Sequence, residues 1–209
     1  MTSAIGQSLH LVPSHPGADD TLVDTAAEAD AFLAESAVQQ WQPEHQFIGA
    51  LLYLSADEAR SLLDLVPDTA IAKPVARWAY ELIRRLVDDG DKPDPVSVLA
   101  AGKRHSARHA LRPDQPPTAK RHKDVALYLV DAYTQNISSA LASSLARQVL
   151  DDAYRRAFGS LGERMQQLAD TDTDRKELTE QFGLIRDELA DLWRRADAAA
   201  KLSASGTPS

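Results

Sequence analysis

The sequence predicts an all-α protein: a small helical bundle followed by a long C-terminal helical hairpin. Three observations lead there. Aromatic residues make up only 6% of the 209 residues, while Ala and Leu abound, and that mixture favours helix over sheet. Nine Gly and eleven Pro are too few for the closely spaced turns of an all-β fold. From about residue 41 onward, apolar residues recur at spacings of three and four, the period of a helix with one buried face.

The elements follow in order. Residues 1–40 read as a disordered, acidic, Ala-rich arm with at most a weak helix over 21–40. A bundle is expected over 41–135. Its first helix opens at Pro43, since a proline in the first turn forfeits no helical hydrogen bond, and carries Phe47, Ile48, Leu51 and Leu52. Ser55-Ala56-Asp57-Glu58 is a capping-box pattern that starts a second helix bearing Leu62, Leu63, Leu65 and Val66. Pro74 begins a third, with Trp78, Leu82, Ile83 and Leu86 on one side and Gly90 as its left-handed cap. Asp94-Pro95 opens a fourth through Val98 and Leu99. Residues 103–123 break the pattern: Lys103, Arg104, Arg108, Arg112, Lys120, Arg121 and Lys123 face a single acid, Asp114, and Pro113, Pro116 and Pro117 forbid a continuous helix, so a mobile basic loop is expected. A fifth helix carries Val125, Leu127, Tyr128, Leu129, Val130 and Tyr133.

The hairpin is expected over 136–202. Asn136 is placed as the cap of a helix running to about residue 169, roughly 50 Å at 1.5 Å per residue, with Leu141, Leu145, Val149, Phe158, Leu161, Met165 and Leu168 as its apolar positions. Asp174-Arg175-Lys176-Glu177 is a second capping-box pattern. The final helix sets Leu178, Phe182, Ile185, Leu189 and Leu192 at alternating spacings of four and three, a heptad seam. Two helices bury one stripe against each other, and a wider stripe needs a third surface. Either the bundle folds onto that stripe or a second subunit does, so these five residues are either intramolecular core or a self-association seam. The tail at 203–209 reads as disordered.

Charge and composition exclude several functions. The net charge of −8 argues against binding nucleic acid through bulk charge, so any such contact is local. With no Cys, a disulfide framework, a thiolate zinc site and a cysteine nucleophile are ruled out. Residues 1–11 lack the basic and apolar regions of a signal peptide, and no apolar run approaches the roughly 20 residues that span a bilayer. A cytoplasmic protein without membrane contact is expected.

No catalytic constellation emerges, and no cofactor or metal is expected. His105 and His109 are four apart, with His122 nearby, but no Cys or carboxylate completes a ligand set and cationic neighbours repel a metal; they read as solvated histidines. Asp88, Asp89, Asp91 and Asp94 cluster around Gly90, where helix ends and turns favour Asp in any case, and their spacing is not that of a calcium loop. Ser138, Ser139, Ser143 and Ser144 have no His near them in sequence and read as packing or surface residues. In the basic loop, Arg104, Arg108, Lys120 and Arg121 are the candidate contacts to a phosphate backbone, weighed against a solvated loop that offsets the acidic arm; no interleaved aromatic residue offers base stacking. Gly159 and Gly162 lie inside the first hairpin helix, at a bend or where a partner crosses closely.

Pro43-Glu44-His45-Gln46-Phe47-Ile48-Gly49-Ala50-Leu51-Leu52 resembles the opening helix of the N-terminal domain of bacterial replicative DNA helicases of the DnaB family. Ala76-Arg77-Trp78-Ala79-Tyr80-Glu81-Leu82-Ile83, followed by Gly90-Asp91-Lys92-Pro93-Asp94-Pro95-Val96, is similar to that family's third helix and the turn after it. Tyr128-Leu129 through Asn136-Ile137 looks like the segment leading into its hairpin. The resemblance spans about residues 41–198. It implies a bundle plus hairpin, pairing of subunits through hairpins into a dimer or dimer-based ring, and contact with a helicase or primase. The family's phosphate loop has no counterpart, the one Gly-Lys pair being Gly102-Lys103 followed by Arg104. The expectation is therefore a stand-alone, motor-less and non-enzymatic relative acting in DNA replication, with a nucleic-acid-binding regulator as the alternative.

Overall fold

The computed structural model describes residues 41–205 together with Val38. The acidic arm at 1–40, apart from Val38, and the tail beyond 205 lie outside the described residues. Among those described there are seven α-helices: α1 (Pro43–Leu51), α2 (Ala56–Leu63), α3 (Pro74–Asp88), α4 (Pro95–Gly102), α5 (Ala119–Thr134), α6 (Ala142–Asp170) and α7 (Arg175–Ser205), with 3₁₀ turns at Asp68–Ala70 and Ser139–Leu141. No strand occurs among the described residues. The fold is all-α.

Local chemistry explains most helix ends. Pro43, Pro74 and Pro95 each occupy the first turn. At α2 the capping box is complete: the Ser55 hydroxyl accepts from the Glu58 N–H, and the Ser55 N–H donates to Glu58 Oε2 at 2.9 Å. Asp94 Oδ1 accepts from Val96 and Ser97 at the start of α4. α3 ends in a Schellman motif, with Asp91 N donating to Leu86 O at 2.8 Å and Gly90 N to Val87 O at 3.1 Å. Gly90 has φ +85°, which a side chain would strain. Lys73, before α3, has no capping side chain of its own; Glu44 of α1 substitutes, accepting from Ala72 N at 2.7 Å and Lys73 N at 3.2 Å.

One hydrophobic core gathers Phe47, Ile48 and Leu51 of α1 and Leu52 just after it, Leu62 and Leu63 of α2, Tyr80, Ile83 and Val87 of α3, Val98 of α4, and Val125 and Leu129 of α5. At the α1–α5 crossing the two backbones approach closely. A Cβ built on Gly49 would stand 2.3 Å from the Ala132 carbonyl oxygen, so only glycine lets the two backbones approach this closely. Around it, Asn136 Nδ2 donates to Gln46 O and Ile137 N to Gln46 Oε1, both at 3.0 Å, and Gln46 Nε2 donates to Gln135 O at 3.0 Å. Asn136 therefore fastens α5 to α1 rather than capping the hairpin. The long helix starts six residues later, at Ala142, after a 3₁₀ turn in which Ser138 Oγ accepts from Ala140 N.

The same core takes in Ala142, Ala146, Val149, Leu150 and Ala153 of α6 and Leu192 and Ala199 of α7. The root of the hairpin is thus part of the bundle. Leu161 of α6 and Ile185 of α7 are also buried but lie outside that core. α7 also runs further than the sequence suggests, its Ala-rich last turns carrying the helix to Ser205, with Ser203 Oγ bonded to Ala200 O.

Candidate interaction surfaces

Two surfaces stand out: the hairpin tip and the basic loop. The hairpin is oriented by two arginines. Arg156 of α6 donates to Ala70 O, and Arg195 of α7 donates to Asp64 O at 3.0 Å and Leu65 O at 3.2 Å. Arg195 also pairs with Asp191 at 2.6 Å, and this bond holds the Asp191 carboxyl below the usual carboxylate range. These residues mark the hairpin side that faces the bundle. A residue two positions along a helix sits about 200° around its axis. Phe158, two from Arg156, and Trp193, two from Arg195, therefore lie on the opposite, outward side; they are 63% and 61% exposed. Met165 follows Phe158 by seven residues, and Phe182 and Leu189 precede Trp193 by eleven and four. At helical spacing all five fall on one outward flank.

The five seam residues divide between the two roles. Ile185, 2% exposed, and Leu192 are buried within the chain, and Leu189 is half-buried. Phe182 is 57% exposed, and Leu178 is exposed beside the turn. The heptad thus combines residues buried within the chain, Ile185 and Leu192, with residues left on the outward flank. Trp193 was not singled out from sequence, and Phe158 only as one apolar position of the first hairpin helix. The available signal was a large aromatic set one residue off the heptad, which widens the apolar stripe beyond what one partner helix covers.

The basic region is more ordered in its contacts than a free loop. Thr118 caps α5, accepting from Arg121 N, so Lys120, Arg121 and Lys123 stand in the first turns of a helix. Residues 103–118 are tied down: Trp78 Nε1 donates to His105 O at 3.0 Å, Ser106 Oγ to Gln115 O at 2.6 Å, and Arg108 N to Glu81 Oε2 at 2.9 Å, while Ala107 is buried. The Arg108 guanidinium pairs with Asp68 at 2.9 Å, and Asp68 also holds Arg84 at 2.7 Å. Arg108 is thereby engaged within the protein, while Arg104, Lys120 and Arg121 remain exposed without an ion pair among the described residues. Arg112 and Arg121 line one cleft of about 400 Å³ with Thr118, Gln115 and Pro116.

The other candidates are placed as follows. His105 lies half-buried in a cleft lined by Arg84, Arg85, Arg108, Asp88 and Asp89, burial and the nearby Arg85 lowering its pKa. His109 is exposed, and His122 bonds Leu99 O through a ring nitrogen at 3.2 Å. Asp94 serves the α4 cap, its carboxyl held low by the Ser97 hydroxyl and the N–H groups it accepts from. A feature absent from the sequence reading is His45: it is buried edge-on against Tyr128, ring centroids 5.3 Å apart, and neither its ring nitrogens nor the Tyr128 hydroxyl has a hydrogen-bond partner among the described residues. Burial pushes the His45 pKa down against the pull of Asp131.

A bundle pinned by Glu44, Gln46, Gly49 and Asn136, followed by a half-docked hairpin, has a counterpart among solved structures. Its fold is that of a DnaB N-terminal domain. The chain is similar to the N-terminal domain of DnaB helicase from Mycobacterium tuberculosis, with a TM-score of 0.54 and 23% identity over 72% of this chain and 95% of that one. No protein-family model and no curated protein matches the sequence. The residues that carry the sequence resemblance to DnaB prove to be structural. Glu44 caps α3, Gly49 permits the α1–α5 crossing, and Asn136 locks it.

Proposed function

We propose that this DnaB-like domain is a non-catalytic interaction module of DNA replication, located in the cytoplasm, that self-associates through the outward flank of its hairpin into a dimer or dimer-based ring. In that state it presents its bundle to a replicative helicase or a primase. The observation that carries the reading is the apolar flank of Phe158, Met165, Phe182, Leu189 and Trp193, turned away from the bundle that buries the hairpin's other side. Contiguous exposed aromatic and aliphatic groups on one face are characteristic of association surfaces. Covering a largely exposed Phe or Trp contributes on the order of 1–2 kcal/mol each by area. A flank of this length, duplicated by symmetry, is suited to an isologous pair. The fold likeness to a helicase domain supports the link to replication.

Light scattering coupled to gel filtration at about 100 μM tests this. The wild type is expected at twice the chain mass or more, and Phe158→Glu/Phe182→Glu at the monomer mass with an unchanged helical circular dichroism spectrum. A wild type that stays monomeric at that concentration refutes self-association.

A further inference from the structure

We propose that the ledge built by residues 103–123 is a sequence-independent binding surface for the phosphate backbone of nucleic acid, with Arg112, Lys120, Arg121 and Lys123 as its principal contacts. Among residues 103–124 the acids are Asp114 and Asp124, against seven Lys and Arg. A concentration of positive charge in a chain of net charge −8 is not needed for solubility, and among the described residues only Arg108 of the seven is used internally, on Asp68. Lys103, Arg104, Arg112, Lys120, Arg121 and Lys123 are all exposed, and none joins an ion pair among the described residues. Lys120, Arg121 and Lys123 stand at the end of α5 where the helix dipole disfavours cations, so local stability does not account for them either.

The tethering decides that this is a surface rather than a loose cationic loop. Trp78, Ser106, Glu81 and Asp68 hold residues 105–108 and Gln115 in place. The two sides of the cleft are the loop, through Arg112, and α5, through Arg121. Charges fixed in advance lose less freedom on binding than charges on a floppy segment. A backbone of regularly spaced phosphates matches such a surface through counterion release. Residues 103–123 contain no Phe, Tyr or Trp, so the segment has no broad stacking platform for bases and no preference for sequence is expected. The surface is distinct from the hairpin flank.

The probe is a fluorescein-labelled 20-base-pair duplex of arbitrary sequence, titrated with the full chain and read by fluorescence anisotropy. With about four phosphates neutralised, affinity should fall roughly 100-fold between 50 and 200 mM NaCl. A second duplex of unrelated sequence should bind equally. Arg112→Glu/Lys120→Glu/Arg121→Glu should weaken binding at least about tenfold at 50 mM NaCl, a loss larger than one salt-screened contact explains, with an unchanged circular dichroism spectrum because all three are exposed. Arg155→Glu/Arg186→Glu on the hairpin, an equal kind of charge reversal, should leave binding within twofold of wild type. Absence of binding at 50 μM protein in 50 mM NaCl overturns the proposal, as does a triple variant that binds like wild type. Binding to vesicles containing 30% phosphatidylserine without binding to the duplex assigns the ledge to membranes and overturns it too.

Discussion

The same substitution at two helical glycines should change stability in opposite directions. At Gly49, alanine places a Cβ 2.3 Å from the Ala132 carbonyl oxygen and 3.2 Å from Asn136 Cβ. Restoring ordinary van der Waals distance takes roughly 1 Å of movement between α1 and α5. The obstacle is backbone, so no rotamer change relieves it. Overpacking of this kind costs about 1–3 kcal/mol. The movement also stretches the bonds from Asn136, Ile137 and Gln46 that span the crossing, each worth about 1 kcal/mol net. Alanine returns about 1 kcal/mol through helix propensity. The balance is a loss of about 2–4 kcal/mol, which lowers Tm by roughly 5–15 °C in a domain of this size. At Gly159 of α6, a Cβ meets nothing within 4 Å, so only the propensity remains and Gly159→Ala should gain up to about 1 kcal/mol. Urea unfolding followed by circular dichroism at micromolar protein measures both. A Gly49→Ala variant as stable as wild type, or more stable, would refute the claim that the close crossing requires glycine.

Two further outcomes follow from buried groups. Ile185→Asp puts a charge at a buried position of the hairpin and should reduce helicity at 222 nm, whereas Phe182→Glu on the outward flank should not; equal effects would mean the two residues do not face different sides. His45 should make stability pH-dependent. Burial lowers its folded pKa below the unfolded value of about 6.5, so the unfolded chain takes up the proton first. Its contribution is therefore complete above about pH 6.5 and is lost as pH falls below it, at up to about 1.4 kcal/mol per pH unit. His45→Phe should flatten urea midpoints between pH 6.5 and 5; a wild type with no slope in that window contradicts the assignment.

Much of this protein was legible in its sequence because the deciding interactions are local. The capping box at Ser55, the first-turn prolines at 43, 74 and 95, the left-handed Gly90 and the cap at Asp94 each depend on neighbours within about one turn, and each lies where its pattern placed it. The all-α class follows from the same short-range rules. What depended on tertiary structure concerns groups distant in the chain. Asn136 looked like a helix cap because Asn favours caps, yet its partner is Gln46, ninety residues away. Arg108 looked like a free cation and is held by Asp68. The heptad of α7 announced a seam, but one period of sequence cannot say which partner covers which side of it. Only the packing of the root against the bundle, fixed by Arg156 and Arg195, sends Ile185 inward and leaves Phe158, Phe182 and Trp193 outward. A helix's periodicity is set by its own backbone; the direction of its faces is set by what it packs against.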